Sequence, residues 1–119
     1  MAKIFSGRAF IRVNGQTLIS MPGAKLNPGG FERKPVVADV GFVGYTETPV
    51  HGEVECDIAV ASDTDLIGMM NATMATVTFE TGDGRVYLLR DAALAAPPAY
   101  ESGDSKASLK FIGAAVEQV

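Results

Sequence analysis

The sequence predicts a mainly β protein: an antiparallel β-sandwich or barrel of about seven strands with one short flanking α-helix. Three observations carry this. Turn dipeptides recur along the chain. The segments between them alternate apolar and polar residues with period 2. Only one short stretch, near residues 62–71, shows helical periodicity. The chain has 119 residues, of which 47% are hydrophobic, which suits a single domain with one core and argues against wholesale disorder.

Residues Arg8 to Val13 place Ala9, Ile11 and Val13 on one face and Arg8, Phe10 and Arg12 on the other. Asn14-Gly15 follows and supplies the two positive-φ residues of a type I′ turn, with Thr17-Leu18-Ile19 as the return strand. From Met21 to Lys34, Pro22, Gly23, Pro28, Gly29 and Gly30 predict a long loop at about 21–34, longer than a compact domain usually spends on a connection. Val36 to Tyr45 reads as one strand and Thr46 to Gly52 as a turn. Glu53 to Val60 shows the cleanest alternation, with Glu53, Glu55 and Asp57 opposite Val54, Cys56 and Ile58.

The period then changes. Ser62 fits an N-cap with Asp65 three residues on, Asp63 and Asp65 suit a helix start, and Leu66, Ile67, Met69 and Met70 form a short apolar stripe closing near Asn71. Strands resume at Ala75–Thr81, and Gly82-Asp83-Gly84 turns the chain into Arg85–Arg90. Ala92 to Tyr100, with Pro97-Pro98, reads as an extended connector. Lys106 to Ile112 is the last strand.

Catalytic chemistry finds little support. His51 is the one histidine and sits between Pro49 and Gly52 without an evident partner. Cys56 falls on an apolar face between Glu55 and Asp57, a setting that suppresses a thiolate. One cysteine excludes an internal disulfide and any multi-cysteine metal site. Asp63-Thr64-Asp65 resembles the opening of a calcium loop, but Met74 stands where the bidentate glutamate belongs. Gly82-Asp83-Gly84 lacks the Lys and Ser/Thr of a P-loop, and no G-x-S-x-G elbow exists. No enzyme activity and no cofactor is therefore expected. Asn71-Ala72-Thr73 fits a glycosylation sequon, which counts only on a secretory route. Met69, Met70 and Met74 suit either a binding groove or a helix packed on a sheet. The start, Met1 to Arg8, shows no secretory signal, so a reducing compartment is the default. The longest uncharged stretch, Leu66 to Phe79, is too short to span a bilayer, so no membrane insertion is expected. The net charge of −4 and the lack of a basic stripe argue against a grip on nucleic acid.

Two features fit a solitary monomer poorly. Glu53, Glu55 and Asp57 put like charges on one strand face, roughly 7 Å apart. Such a face needs water or a cationic cross-strand partner. The second is the long segment 21–34.

The order and spacing of several stretches resemble the tail tube proteins of Mu-like contractile-tailed bacteriophages. These are Gly7-Arg8-Ala9-Phe10-Ile11-Arg12-Val13-Asn14-Gly15, the segment from Glu53 through Met70, Asp83 to Ala92, Pro97-Pro98, and Gly103 to Phe111. The resemblance covers nearly the whole chain, read as one tail tube domain over residues 1–119. It implies hexameric rings whose inner sheets join into one barrel, stacked into a tube with a long hairpin loop reaching the next ring. It also implies a surrounding tail sheath, a tape-measure protein and later DNA in the lumen, baseplate and tail terminator partners, and a place in the virion after assembly in the bacterial host cytoplasm. On this reading Glu53, Glu55, Asp57 and Asp39 face the lumen, where acidic groups let DNA slide without specific binding. Lys25, Asn27, Glu32, Arg33 and Lys34 then belong to the inter-ring loop. The runner-up reading is a tube protein of the same fold in a type VI secretion or phage-tail-like bacteriocin apparatus. A small monomeric β-barrel binding module, with the methionines lining a groove, is the alternative of a different class.

Overall fold

The computed structural model describes residues 7–62 and 64–119. Among them the strands are β1 (Ala9–Val13), β2 (Gln16–Leu18), β3 (Lys25–Asn27), β4 (Gly30–Ala38), β5 (Gly41–Val50), β6 (Gly52–Ala59), β7 (Ala75–Thr81), β8 (Val86–Leu94), β9 (Ala99–Glu101), β10 (Lys106–Gly113) and β11 (Glu117–Gln118). The single helix α1 spans Leu66–Asn71. All strand pairs are antiparallel.

Nine strands form one folded-over sheet in the order β2-β1-β7-β8-β10-β6-β3, with β11 added to β8 and β9 to β10. Two corner segments close it. The first lies in β8, whose first half pairs β7 and whose last residues pair β10. It bends beside Asp91, which takes the left-handed conformation at φ 55°, where the register with β7 shifts. The second follows β2. The chain leaves β1 there and bonds β6, with Ala59 N–H donating to Ile19 O at 2.8 Å and Met21 N–H to Asp57 O at 2.7 Å. The result is a small closed barrel. The core fills it with alternate residues of each strand: Ile11, Val13, Val54, Cys56, Ile58, Val77, Phe79, Leu109 and Phe111 are all buried.

The strongest local signals hold. Asn14 and Gly15 take φ of 50° and 84°, and Val13 pairs with Gln16 across the turn. Asn14 also ties the hairpin to β7, its Oδ1 accepting from Thr76 N–H at 3.0 Å. β7 has the predicted bounds. At the helix, however, the cap is Asp65, whose Oδ1 accepts from Gly68 N–H at 2.9 Å. Ser62 lies one turn too early, in a small loop closed by Ala61 N–H to Thr64 Oγ1. The Asp63 reading lies outside the described residues. Met69 is buried in the core while Met74 is exposed, so the three methionines do not line one groove.

The segment from Met21 to Gly52 departs most from the sequence reading. Residues 25–27 form β3 and residues 30–34 begin β4, so the expected loop shrinks to short connections. The expected single strand Val36–Tyr45 is a hairpin, turning at Asp39-Val40 with Gly41 at φ 113°. Of the expected turn Thr46–Gly52, Thr46 to Val50 end β5 and Gly52 opens β6, with only His51 between them. Pro35 and Pro49 do not break these strands, because both strands of a two-stranded ribbon are edges and need not donate on their outer side. Likewise Ala92–Tyr100 is not all connector, since β8 continues to Leu94 and β9 begins at Ala99.

β4 and β5 pair only with each other and form an arm. No core residue comes from it. The radius of gyration is 17.5 Å, against about 13–14 Å for a compact chain of this length. An extended run from Gly41 to Ala59 would reach about 60 Å at ~3.3 Å per residue, close to the 63 Å long axis. Only His51 separates β5 of the arm from β6 of the barrel.

Its root is packed backbone against backbone. A Cβ on Gly29, which sits at φ 71°, would lie 2.7 Å from Gly52 N. One on Gly52 would lie 2.7 Å from Ala114 O and 2.9 Å from Leu89 Cδ1. Val116 N–H donates to Pro28 O at 2.9 Å and ties the C-terminal segment to the same junction.

Candidate functional site

Two surfaces stand out: the arm and the charged outer face of the sheet β3-β6-β10-β9. In the arm, the register puts Phe31 opposite Pro49, Arg33 opposite Glu47, Pro35 opposite Tyr45 and Val37 opposite Phe42. Alternation sends these to one face. Glu32, Lys34, Thr46 and Thr48 occupy the other, with Val36. The apolar face has no cover. Phe31, Val37, Phe42, Val43 and Tyr45 are all exposed, as are Val40 at the tip and Val36. The arm thus holds half of the exposed large hydrophobic side chains among the described residues. Within this face Arg33 is already matched. Its Nε lies 3.2 Å from Glu47 Oε1, and its guanidinium carbon sits 5.7 Å from the Tyr45 ring centre. An isolated two-stranded ribbon is marginal in water, and exposed apolar patches of this kind mark interaction surfaces.

The second surface is polar. On β6, Glu53, Glu55 and Asp57 point outward while Val54, Cys56 and Ile58 point inward, as the alternation predicts. The row is not a bare stripe of like charge. Lys110 and Lys25 both stand across from Glu55. Lys110 Nζ reaches Glu53 Oε2 at 3.8 Å, and His51 Nε2 lies 2.7 Å from Glu53 Oε1. Ser108 Oγ donates to Asp57 Oδ1 at 2.7 Å. On β9 and β10, Glu101 and Lys106 pair at 3.8 Å. Exposed pairs of this kind contribute only about 0.2–1 kcal/mol each, so they set charge pattern more than stability. Acids outnumber bases by one on this face: Glu53, Glu55, Asp57 and Glu101 against Lys25, Lys106 and Lys110.

The residues singled out from sequence therefore divide. Glu53, Glu55 and Asp57 share one face with Lys25 and Asn27. Asp39 lies at the arm tip, on a different element. Glu32 and Lys34 sit on the polar face of the arm and Arg33 on its apolar face. Sequence reasoning missed the apolar face itself. Its signal was the alternation Phe31, Arg33, Pro35, Val37 answered by Tyr45, Glu47, Pro49 across Gly41.

Cys56 is buried, and its thiol is pushed up to about 12, first by burial and then by Asp57 and Glu55. A thiolate is thus scarce at neutral pH. In the folded protein Cys56 should react with a disulfide reagent such as DTNB at least a hundredfold more slowly than in denaturant. Equal rates would show that the barrel opens freely. Elsewhere, Asp83 accepts hydrogen bonds from the Thr81 hydroxyl and from Arg85, which hold its carboxyl below the ordinary range and lock the turn between β7 and β8. Among the described residues no group of three or more His, Cys, Asp and Glu could hold a metal.

Fold and surfaces define a class: a small closed β-barrel bearing a projecting hairpin with an uncovered apolar face. Residues 2–118 match the phage tail tube protein family, and the chain belongs to that family. It is 40% identical to the Mu-like prophage FluMu tail tube protein of Haemophilus influenzae over 93% of this chain and 92% of that one. It is 34% identical to the tail tube protein of Escherichia phage Mu, covering 82% of each. Among solved structures, the fold matches the sheath/tube terminator of the PVC extracellular contractile injection system with a TM-score of 0.71 at 11% identity, over 100% of this chain and 98% of that one. A chain of the PVC sheath-tube complex gives 0.67, also at 11% identity, over 98% and 91%. The protein is a structural subunit of a Mu-like phage tail tube, hence a component of the virion.

Proposed function

We propose that the chain acts without catalysis, assembling as hexameric rings that stack into the tail tube, with the arm reaching from one ring onto the next. The observation that carries this is the arm: a hairpin with one apolar face, joined by a close-packed backbone junction to a barrel whose own core it does not enter. A neighbouring copy supplies the missing cover. A monomeric binding module would leave that face in water.

The charged face of β6 then lines the lumen. Its support is the outward row Glu53, Glu55 and Asp57 and the net charge of −4. The interleaved Lys25 and Lys110 make the wall only mildly acidic, enough to avoid a grip on DNA phosphates without strong self-repulsion around the ring. Asp39, at the arm tip, would add an acid to the lumen only where one ring meets the next. The opposite side of the barrel faces a sheath. Tape-measure protein and then DNA occupy the bore, the tube ends meet baseplate and terminator proteins, and assembly takes place in the host cytoplasm.

Electron microscopy of the purified protein tests this directly. The expected images show rings or stacked tubes, and a reconstruction should place Glu53, Glu55 and Asp57 on the inner wall. A monomer at every concentration overturns the assembly reading. Rings with those carboxylates outside overturn the lumen assignment.

A further inference from the structure

The charged face of β6 begins at an imidazole. His51 is the single histidine of the sequence and the single residue between β5 and β6. Its Nε2 lies 2.7 Å from Glu53 Oε1, and its side chain is 53% exposed. An ionised carboxylate only accepts hydrogen bonds, so Nε2 carries the shared hydrogen and a further proton goes to Nδ1. Imidazole is the one side chain whose ordinary charge change falls between about pH 5 and 8.

The charges around His51 come from several elements. On β6, Glu53 touches it and Glu55 follows on the same face. From β10, Lys110 Nζ reaches the other Glu53 oxygen, Oε2, at 3.8 Å, while Ile112 stands opposite Glu53. From β3, Asn27 stands opposite Glu53 and Lys25 opposite Glu55. Toward the arm, Gly30 faces Val50 and Phe31 faces Pro49. The first charges there are Glu32, and Glu47 paired with Arg33 at 3.2 Å. In the C-terminal segment against Gly52, Ala114 and Val116 are uncharged, and Glu117 pairs with Arg90 at 3.4 Å. Glu53 thus shares one oxygen with a permanent cation and the other with a group whose charge depends on pH. Across the face, Glu53, Glu55, Asp57 and Glu101 stand against Lys25, Lys106 and Lys110, an excess of one acid while His51 is neutral. One proton on His51 removes that excess.

We propose that His51 sets the charge of the tube wall by pH. Neutral, it leaves each copy one net negative charge toward the bore, and phosphates are repelled. Protonated, its contact with Glu53 becomes charge-assisted, the wall balances, and a polyanion is retained. This rests on the lumen reading above and adds its regulation.

The dilute, unassembled subunit tests the contact. In a pH titration followed by NMR, the His51 ring resonances and the Glu53 side-chain carboxyl resonance should move with one shared midpoint. A Glu53 resonance that stays still while His51 titrates overturns the proposal. Purified tubes test the consequence. A fluorescent single-stranded DNA oligonucleotide sedimented with wild-type tubes at low salt should be retained at least about threefold more at about pH 5.5 than at about pH 8. His51→Gln should form the same tubes and lose the difference, and His51→Lys should retain the oligonucleotide at both pH values. A difference that survives in His51→Gln overturns the proposal. So does equal retention by wild-type tubes whose reconstruction places Glu53 on the inner wall, a result that leaves the lumen reading standing. Glu53 on the outer surface of the tube overturns both.

Discussion

A subunit with Val37→Asp and Phe42→Asp should fold normally and fail to polymerise. Both side chains face water in the isolated chain, at 68% and 67% exposure, and neither touches the core. Surface changes of this kind usually move stability by less than about 0.5 kcal/mol. The local cost is the loss of one cross-strand pair in the arm, about 0.2–1 kcal/mol. In an assembly the balance reverses. Fully burying a residue of this size contributes about 1.5–3 kcal/mol, and placing a carboxylate there instead adds a desolvation penalty. Two such sites per contact, repeated at every copy, should weaken association at least about a thousandfold, since each 1.4 kcal/mol is a factor of ten. Sedimentation velocity reads the association, and thermal unfolding of the same sample reads the fold. Tubes of normal length from this variant would show that the apolar face of the arm is not what holds copies together.

The second large effect lies at the root of the arm. Gly52→Ala should cost about 3 kcal/mol of stability, at the upper end of what overpacking usually costs, because the new Cβ would meet the Ala114 carbonyl oxygen at 2.7 Å and Leu89 Cδ1 at 2.9 Å. A backbone oxygen cannot rotate away as a side-chain end can. Gly29→Ala should be comparably costly, since it adds a left-handed φ of 71° to a 2.7 Å approach on Gly52 N. Gly44→Ala, in the arm with open space around it, is the control and should be close to neutral. Chemical denaturation of the three variants ranks them. If Gly52→Ala and Gly44→Ala unfold at the same denaturant concentration, the junction is looser than its geometry indicates.

The elements that were legible in the sequence are those whose alternation is read by the protein's own core. In β6 and β7 every second residue is buried, so period 2 reports the fold directly. The arm is different. Eight of nine residues in β4 are exposed, and its one apolar stripe is written for a surface outside the chain. With no burial to contrast against, Pro28, Gly29 and Gly30 looked like part of a loop, and Thr46–Gly52, with Pro49, like a turn. The acidic row was visible because it is local. Its partners Lys110 and Lys25 were not, because they reach Glu53 and Glu55 through pairings between distant segments. The cap at Asp65 was missed because Ser62 presents the same kind of side-chain acceptor one turn earlier and sequence alone does not say which loop closes first.

Because β5 passes into β6 through a single residue, tension on the hairpin would travel straight down the covalent chain into a strand flanked on both sides by β3 and β10. Pulling it free would mean shearing many backbone hydrogen bonds at once, instead of peeling them off one by one. Such an anchor resists a pull along the hairpin far better than a loop attached at the rim.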